Sequence, residues 1–245
     1  GTKGEMIPLS NIPVSTWNSI VFRVTAPYSD RLLLKLKSFG DYTEDGFATV
    51  TDQPPAIYGY SAAYLTGLYL ASYSTATQHL LRVQTSGGTY AAPYYIGTKN
   101  DPTGAVTVGD NRVSGNGVKL YEMYYYSETP GFVPIEINAA LYTDYTAYAR
   151  ENFLTVDPDT ASFLSLIMEE QGWDSMSPAE AIPAVAAYLR ANYTLNPHHD
   201  TALHDEENAV LAFMGAYREG TARHFAATAT LIYRVLGIPA RYTVG

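Results

Sequence analysis

The 245-residue chain contains no cysteine at all. That leaves it without a thiol nucleophile, and it says little of the redox compartment, because loss of a single thiol would produce the same count. Runs of lysine or arginine are also missing, and 15 basic against 24 acidic side chains give a net charge of −9. A polyanionic backbone would be repelled, so nucleic acid is not an expected partner. No apolar stretch approaches the roughly 18–20 residues that a membrane span requires, and the N-terminus lacks the basic-then-apolar order of a secretory signal. The chain therefore reads as soluble, or as a segment whose anchors lie elsewhere. There is no internal repeat and no low-complexity tract. What the chain has instead is tyrosine, 22 of them, in a sequence that is 47% hydrophobic. Such content suffices for one large domain or two small ones. A tyrosine-rich surface suits sugar or peptide binding, but we read the tyrosines as members of a β-sheet.

The first half alternates in the manner of strands. Ile20, Phe22 and Val24, then Leu32, Leu34 and Leu36, predict two half-buried strands over 18–26 and 31–39, with Lys35 and Lys37 facing water. Residues 41–46 read as a turn before a short strand over 47–51, which Pro54-Pro55 closes. The run 58–73 fits both periods, and we assign it strand-like structure. Further strands are expected over 79–84, 89–96, 105–108 and 118–127, separated by Gly87-Gly88, Asn100-Asp101-Pro102 and Asn116-Gly117.

After Thr129-Pro130-Gly131 the period becomes helical. Leu141, Tyr145, Tyr148 and Phe153 predict a helix over 138–153, a second follows over 159–171, and Ser177-Pro178 opens a third that ends near Asn192-Tyr193. A polar loop over 196–206 precedes a helix bearing Val210, Phe213, Met214 and Tyr217. We thus expect an α+β protein with a β-rich region over 1–134 and a helical core over 135–245.

The segment on which function turns is Arg218-Glu219-Gly220-Thr221-Ala222-Arg223-His224-Phe225-Ala226, continuing to Leu236-Gly237-Ile238-Pro239-Ala240-Arg241-Tyr242. A glycine leads into a helix starting near Ala222, with apolar positions at Phe225, Ala229, Ile232 and Leu236 and a stop at Gly237 and Pro239. The tip of such a helix carries unpaired N–H groups and the positive end of the dipole, the setting that favours a thiolate. That place is occupied by Ala222.

These residues resemble the transglutaminase-like (papain-like) superfamily, whose signature is glycine, one residue, the nucleophilic cysteine, one residue, His-Phe-Ala, and then a helix ending in Leu-Gly-Ile-Pro-Ala-Arg. The resemblance implies a papain-like core, here its N-terminal helical part, with helices packed on an antiparallel sheet. By position, Ala222 stands where the family has its cysteine. The family's catalytic histidine and aspartate would lie on strands past Gly245, so the chain as given is expected to be inert. The order of a β-rich region, a tyrosine-rich helix ending in Asn152-Phe153-Leu154 and then helices leading to the nucleophile loop resembles bacterial transglutaminase-like membrane proteins. That likeness implies an extracytoplasmic protein, tethered to a membrane by segments outside this chain, acting on protein or peptide substrates with glutamine or other amide groups, without a cofactor and as a monomer. Two origins of the alanine are open: an introduced Cys→Ala change, or a natural loss that leaves a pseudoenzyme recognising protein or cell-wall material.

His224 is set two residues, about 200° of helical rotation, from Ala222, so we read it as a packed structural histidine rather than a general base. His198-His199-Asp200 with His204-Asp205-Glu206-Glu207 carries ligand-type side chains, yet its spacing matches no metal motif and its acids suit the start of the next helix, with Asp205 or Asn208 as cap. No metal is assigned to it. Arg241 reads as structural, neutralising a buried carboxylate.

Overall fold

The computed structural model describes residues 5–9, 22–27, 32–43, 46–55, 61–65, 67, 77–86, 88–97, 105–126, 139–197 and 208–245. In chain order these form β1 (Met6–Pro8), β2 (Phe22–Thr25), β3 (Leu34–Lys35), β4 (Lys37–Phe39), β5 (Asp41–Thr43), β6 (Gly46–Ala48), β7 (Gln78–Thr85), β8 (Ala92–Pro93), β9 (Val106–Val108), β10 (Val113–Gly115) and β11 (Leu120–Tyr126). Helices α1 (Ala139–Asn152), α2 (Pro158–Gln171) and α3 (Pro178–Asn192) follow, then β12 (Thr194–Leu195), α4 (Ala209–Leu211), a π-helical turn (Ala212–Tyr217), β13 (Glu219–Gly220), α5 (Ala222–Val235) and β14 (Tyr242–Val244). The protein is α+β, and its chain forms two compact units, each discontinuous in sequence.

One unit takes residues 16–38, 52–148 and 243–245. Its centre is an antiparallel sheet in the order β11-β7-β2, with Tyr121 opposite Val83 and Val24 also opposite Val83. Alternation along β7 and β11 sends Leu81, Val83, Tyr121, Met123 and Tyr125 inward, where they join Tyr90, Ile96, Val108 and Val113 in the core. The tyrosines here are core residues whose hydroxyls find backbone partners: Tyr121 donates to the Ala91 carbonyl at 2.7 Å, and Tyr90 accepts from the Gly117 N–H at 2.9 Å.

Three readings of the first half are corrected. Lys35 is buried rather than facing water, because its ammonium reaches the carbonyl of Asp110 in the turn between β9 and β10. The run 58–73 is helical where it is described: Ala62–Tyr64 form a 3₁₀ turn capped by Ser61, whose hydroxyl accepts from the Ala63 N–H at 3.2 Å. Serine followed by small residues favoured that cap over the strand period. Residues 41–43, expected in a turn, are a strand paired with β6.

The other unit takes residues 1–15, 39–51 and 149–242. Its strands β1, β6 and β5 pair antiparallel, with Ile7 and Tyr42 both opposite Phe47. The helices start where their caps dictate. Asp157 accepts from the Thr160 N–H at 2.8 Å ahead of Pro158, and Gly172 ends α2 in the left-handed conformation at φ 69°. The Ser177 hydroxyl donates to Glu180 Oε2 at 2.7 Å and the Ser177 N–H to the same oxygen at 2.9 Å as α3 begins, and these bonds hold the Glu180 carboxyl below the usual carboxylate range. Buried Leu164 and Ile167 of α2 and Ala181, Val185 and Leu189 of α3 recur at helical spacing and form the inward faces.

Candidate active site

The helical segment after residue 207 starts at a cap. Asn208 Oδ1 accepts from the Leu211 N–H at 3.1 Å while its amide donates to Thr160 Oγ1 at 2.7 Å. A carboxylate at this position would accept only, so the asparagine ties the new helix to α2 in a way aspartate does not.

The expected helix over Val210, Phe213, Met214 and Tyr217 is wound as α for one turn and then as π, with Val210, Phe213 and Met214 buried. It closes through the Arg218 N–H, which donates to the Phe213 carbonyl five residues back at 3.0 Å. Arg218 then turns into the left-handed region at φ 55°, alone in this among the described non-glycine residues. Reversal there launches β13, which lies parallel to β12, with Thr194 opposite Glu219 and Leu195 opposite Gly220. The Asn196 N–H closes the ladder on the Gly220 carbonyl at 2.9 Å.

Gly220 is required by space rather than by backbone angle. A Cβ there would come within 2.9 Å of both the His224 ring and the Phe213 ring. Next, Thr221 caps α5, and its N–H donates to His224 Nδ1 at 3.0 Å. His224 stands at the third helical position, where glutamate or glutamine usually completes a capping box. Because a backbone N–H can only donate, Nδ1 is the accepting nitrogen and the neutral ring carries its proton on Nε2. The ring is 4% exposed and stacks on Phe213 at 5.8 Å. It therefore faces the interior, as its spacing from Ala222 predicts.

Ala222 is the first residue of α5 and is exposed. The helix beyond it buries Ala227, Thr228, Thr230, Leu231, Ile232 and Arg234, more than one stripe, so α5 is packed on several sides rather than along the single line Phe225, Ala229, Ile232 and Leu236. Its far end is a Schellman-type stop, with the Ile238 N–H bonded to the Tyr233 carbonyl at 2.8 Å and Gly237 at φ 75°.

Two arginines complete the picture. Arg241 lies over the Phe153 ring at 4.9 Å. Arg234, which sequence reasoning missed, is 3% exposed and gives its guanidinium to three backbone carbonyls: Gly40 at 2.6 Å, Ala240 at 2.8 and 3.0 Å, and Thr155 at 2.9 Å. Burial lowers its pKa to about 10, against the opposing influence of Asp41 and Tyr42. The only local hint was a cation in the last turn of an apolar helix, which ordinarily reads as dipole compensation.

Residues 198–207, with their histidines and acids, lie outside the described residues. Among the described residues no group of three or more His, Cys, Asp or Glu side chains could hold a metal, and no helix is long and apolar enough to cross a membrane.

The glycine, cap and helix tip around Ala222 lie within a region that a family model recognises. Residues 168–245 match the transglutaminase-like superfamily. The fold of the whole chain is similar to the crystal structure of the periplasmic domain of TgpA from Pseudomonas aeruginosa, with TM-score 0.64 and 13% identity over 95% of this chain and 76% of that one. The same domain bound to ethylmercury gives TM-score 0.60 and 14% identity over 95% and 77% of the two chains. No match is found among curated protein sequences. The transglutaminase-like match begins within α2 and spans every element from there to Ala222 and on to β14.

Proposed function

We propose that this chain carries the nucleophile-bearing half of a cysteine acyl-transfer or amide-hydrolysing site, with Ala222 in the cysteine's place. The observation that carries the reading is the exposed alanine at the first helical position, two residues after a glycine that admits no side chain. A thiol there would sit at the positive end of α5, where the thiolate is favoured and where first-turn N–H groups can receive an oxyanion. The thiolate would attack a carboxamide carbon, expel ammonia or an amine, and leave a thioester. An amine or water then takes the acyl group and returns the thiolate. His224 is committed to the Thr221 N–H and the Phe213 face, so the proton chemistry belongs to other groups. By likeness to a periplasmic domain, we place the protein outside the cytoplasm.

The test is Ala222→Cys in the full-length protein, incubated with a glutamine-containing donor and an amine probe. A thioester adduct on residue 222 by mass spectrometry supports the reading, and a thiol that forms no adduct with any amide donor overturns it. A second reading, a binding module without chemistry, is favoured by a groove of about 520 Å³ on the β-rich unit, bordered by Tyr64, Leu80, Arg82, Leu120 and Tyr124. Peptide binding that persists when Leu120 and Tyr124 are replaced by serine counts against it.

A further inference from the structure

Residues 208–245 hold four arginines and one acid, Glu219, in a protein of net charge −9. Two of the four arginines are absorbed by the fold: Arg234 by backbone carbonyls and Arg241 by the Phe153 ring. Arg218 and Arg223 are not. Arg218 is exposed on the reversal before β13, and Arg223 is half-exposed as the second residue of α5. Neither makes an ion pair with any described residue. They bracket the stretch from Glu219 to Ala222, so two cations with no ion-pair partner among the described residues flank the exposed position that the preceding section assigns to the nucleophile.

Their placement works against local stability. A cation at the start of a helix opposes the dipole, and the first turn of α5 contains no acid to offset Arg223. Arg223 acts electrostatically on Tyr242, which places its charge near the start of β14 rather than far into solvent. Arg218 acts electrostatically on Tyr193, and a guanidinium on either side of residue 222 suits a planar carboxylate that arrives from outside.

We propose that Arg218 and Arg223 select acyl donors that carry a carboxylate within one or two residues of the reacting amide, such as a peptide with Glu or Asp beside Gln. The inference rests on the acyl-transfer reading of position 222 and specifies its substrate class. The two arginines are specificity determinants and take no part in bond making.

Because Ala222 prevents turnover, the protein as it stands permits a direct binding measurement. Fluorescence anisotropy would compare a labelled Gln peptide flanked by Glu with a twin in which the flanking acids are replaced by Ser. The acidic peptide is expected to bind roughly tenfold more tightly, a preference that weakens with added salt. Arg218→Gln with Arg223→Gln removes the preference and leaves the neutral peptide unaffected, while Arg190→Gln, an exposed arginine on α3, preserves the preference. The proposal is overturned if the two peptides bind alike, if neither binds, if the double variant weakens both equally, or if Arg190→Gln erases the difference. Ala222→Cys in the full-length protein separates this inference from the reading beneath it. Thioester formation at equal rates on both peptides overturns the charge selectivity and leaves acyl transfer standing. Charge-selective binding without a thioester on either peptide overturns acyl transfer and leaves the arginines as a carboxylate-binding pair.

Discussion

Arg234 donates to the carbonyl of Gly40 at 2.6 Å across 194 residues of chain. The same guanidinium holds Ala240 and Thr155, so one side chain at the end of α5 ties together three backbone segments of its unit. Gly40 itself has no room for a Cβ, which would collide with the Phe153 ring. Replacing Arg234 by Met leaves these buried carbonyls without a donor, and the expected cost is about 3 kcal/mol. Urea denaturation checks this as a lower midpoint at unchanged slope.

Alkaline pH should unfold the protein. Burial raises the phenol pKa of Tyr121, Tyr193, Tyr233 and Tyr242 above the ordinary value of 10.0. Below that value phenols are protonated in both folded and unfolded chains and the difference contributes nothing. As pH rises through 10 the unfolded chain loses these protons first, so folding stability falls between the unfolded and the folded values. Arg234 has the opposite sign: lowered to about 10, it adds stability as pH climbs above that value, one group against four. Phenolate absorbance should therefore rise in two stages, with the buried tyrosines ionising together with loss of near-ultraviolet dichroism.

Gly220→Ala forces its new methyl against the His224 and Phe213 rings. Overpacking of this kind costs about 1–3 kcal/mol. Because both rings support the start of α5, thermal melting should fall and, in an Ala222→Cys background, the thiol should become less reactive.

Ala222→Cys alone predicts a thiol that titrates below the ~8.5 of a free cysteine, since the tip of α5 and Arg223 both favour its anion. Alkylation rate against pH gives the midpoint. Arg223→Gln raises that midpoint, and a midpoint at or above the free-thiol value in the parent variant would show that the helix tip does not act on the sulfur.

Much of this was legible in the sequence because it is local. Ser177-Pro178 starts one helix and Gly237 with Pro239 stops another through bonds spanning a few residues, and Gly220 to Ala222 sits in the same kind of signal. Where partners are remote the sequence is silent. Lys35 reads as solvent-facing by alternation, yet a carbonyl 75 positions away draws it inward. Arg234 reads as a surface cation because none of its acceptors is near it in sequence except Ala240. The π winding of 212–217 is hidden for a different reason: α and π turns place apolar side chains at almost the same spacings, and they differ in which carbonyl each N–H selects.

That π turn accommodates one residue more than an α-helical turn would in the same length. Gly215 within it has open space where a side chain would go. Shortening the chain by one residue there would let the segment rewind as ordinary helix over nearly the same length, because the wide turn holds its extra residue without turning the flanks. A second residue removed has no such slack: it would rotate whatever follows by about 100° and displace it by about 1.5 Å, taking Arg218 from the reversal and Gly220 from the space beside Phe213. The aim of the helix tip is thus buffered against one deletion in this turn and exposed to any larger change, with every signature residue still present.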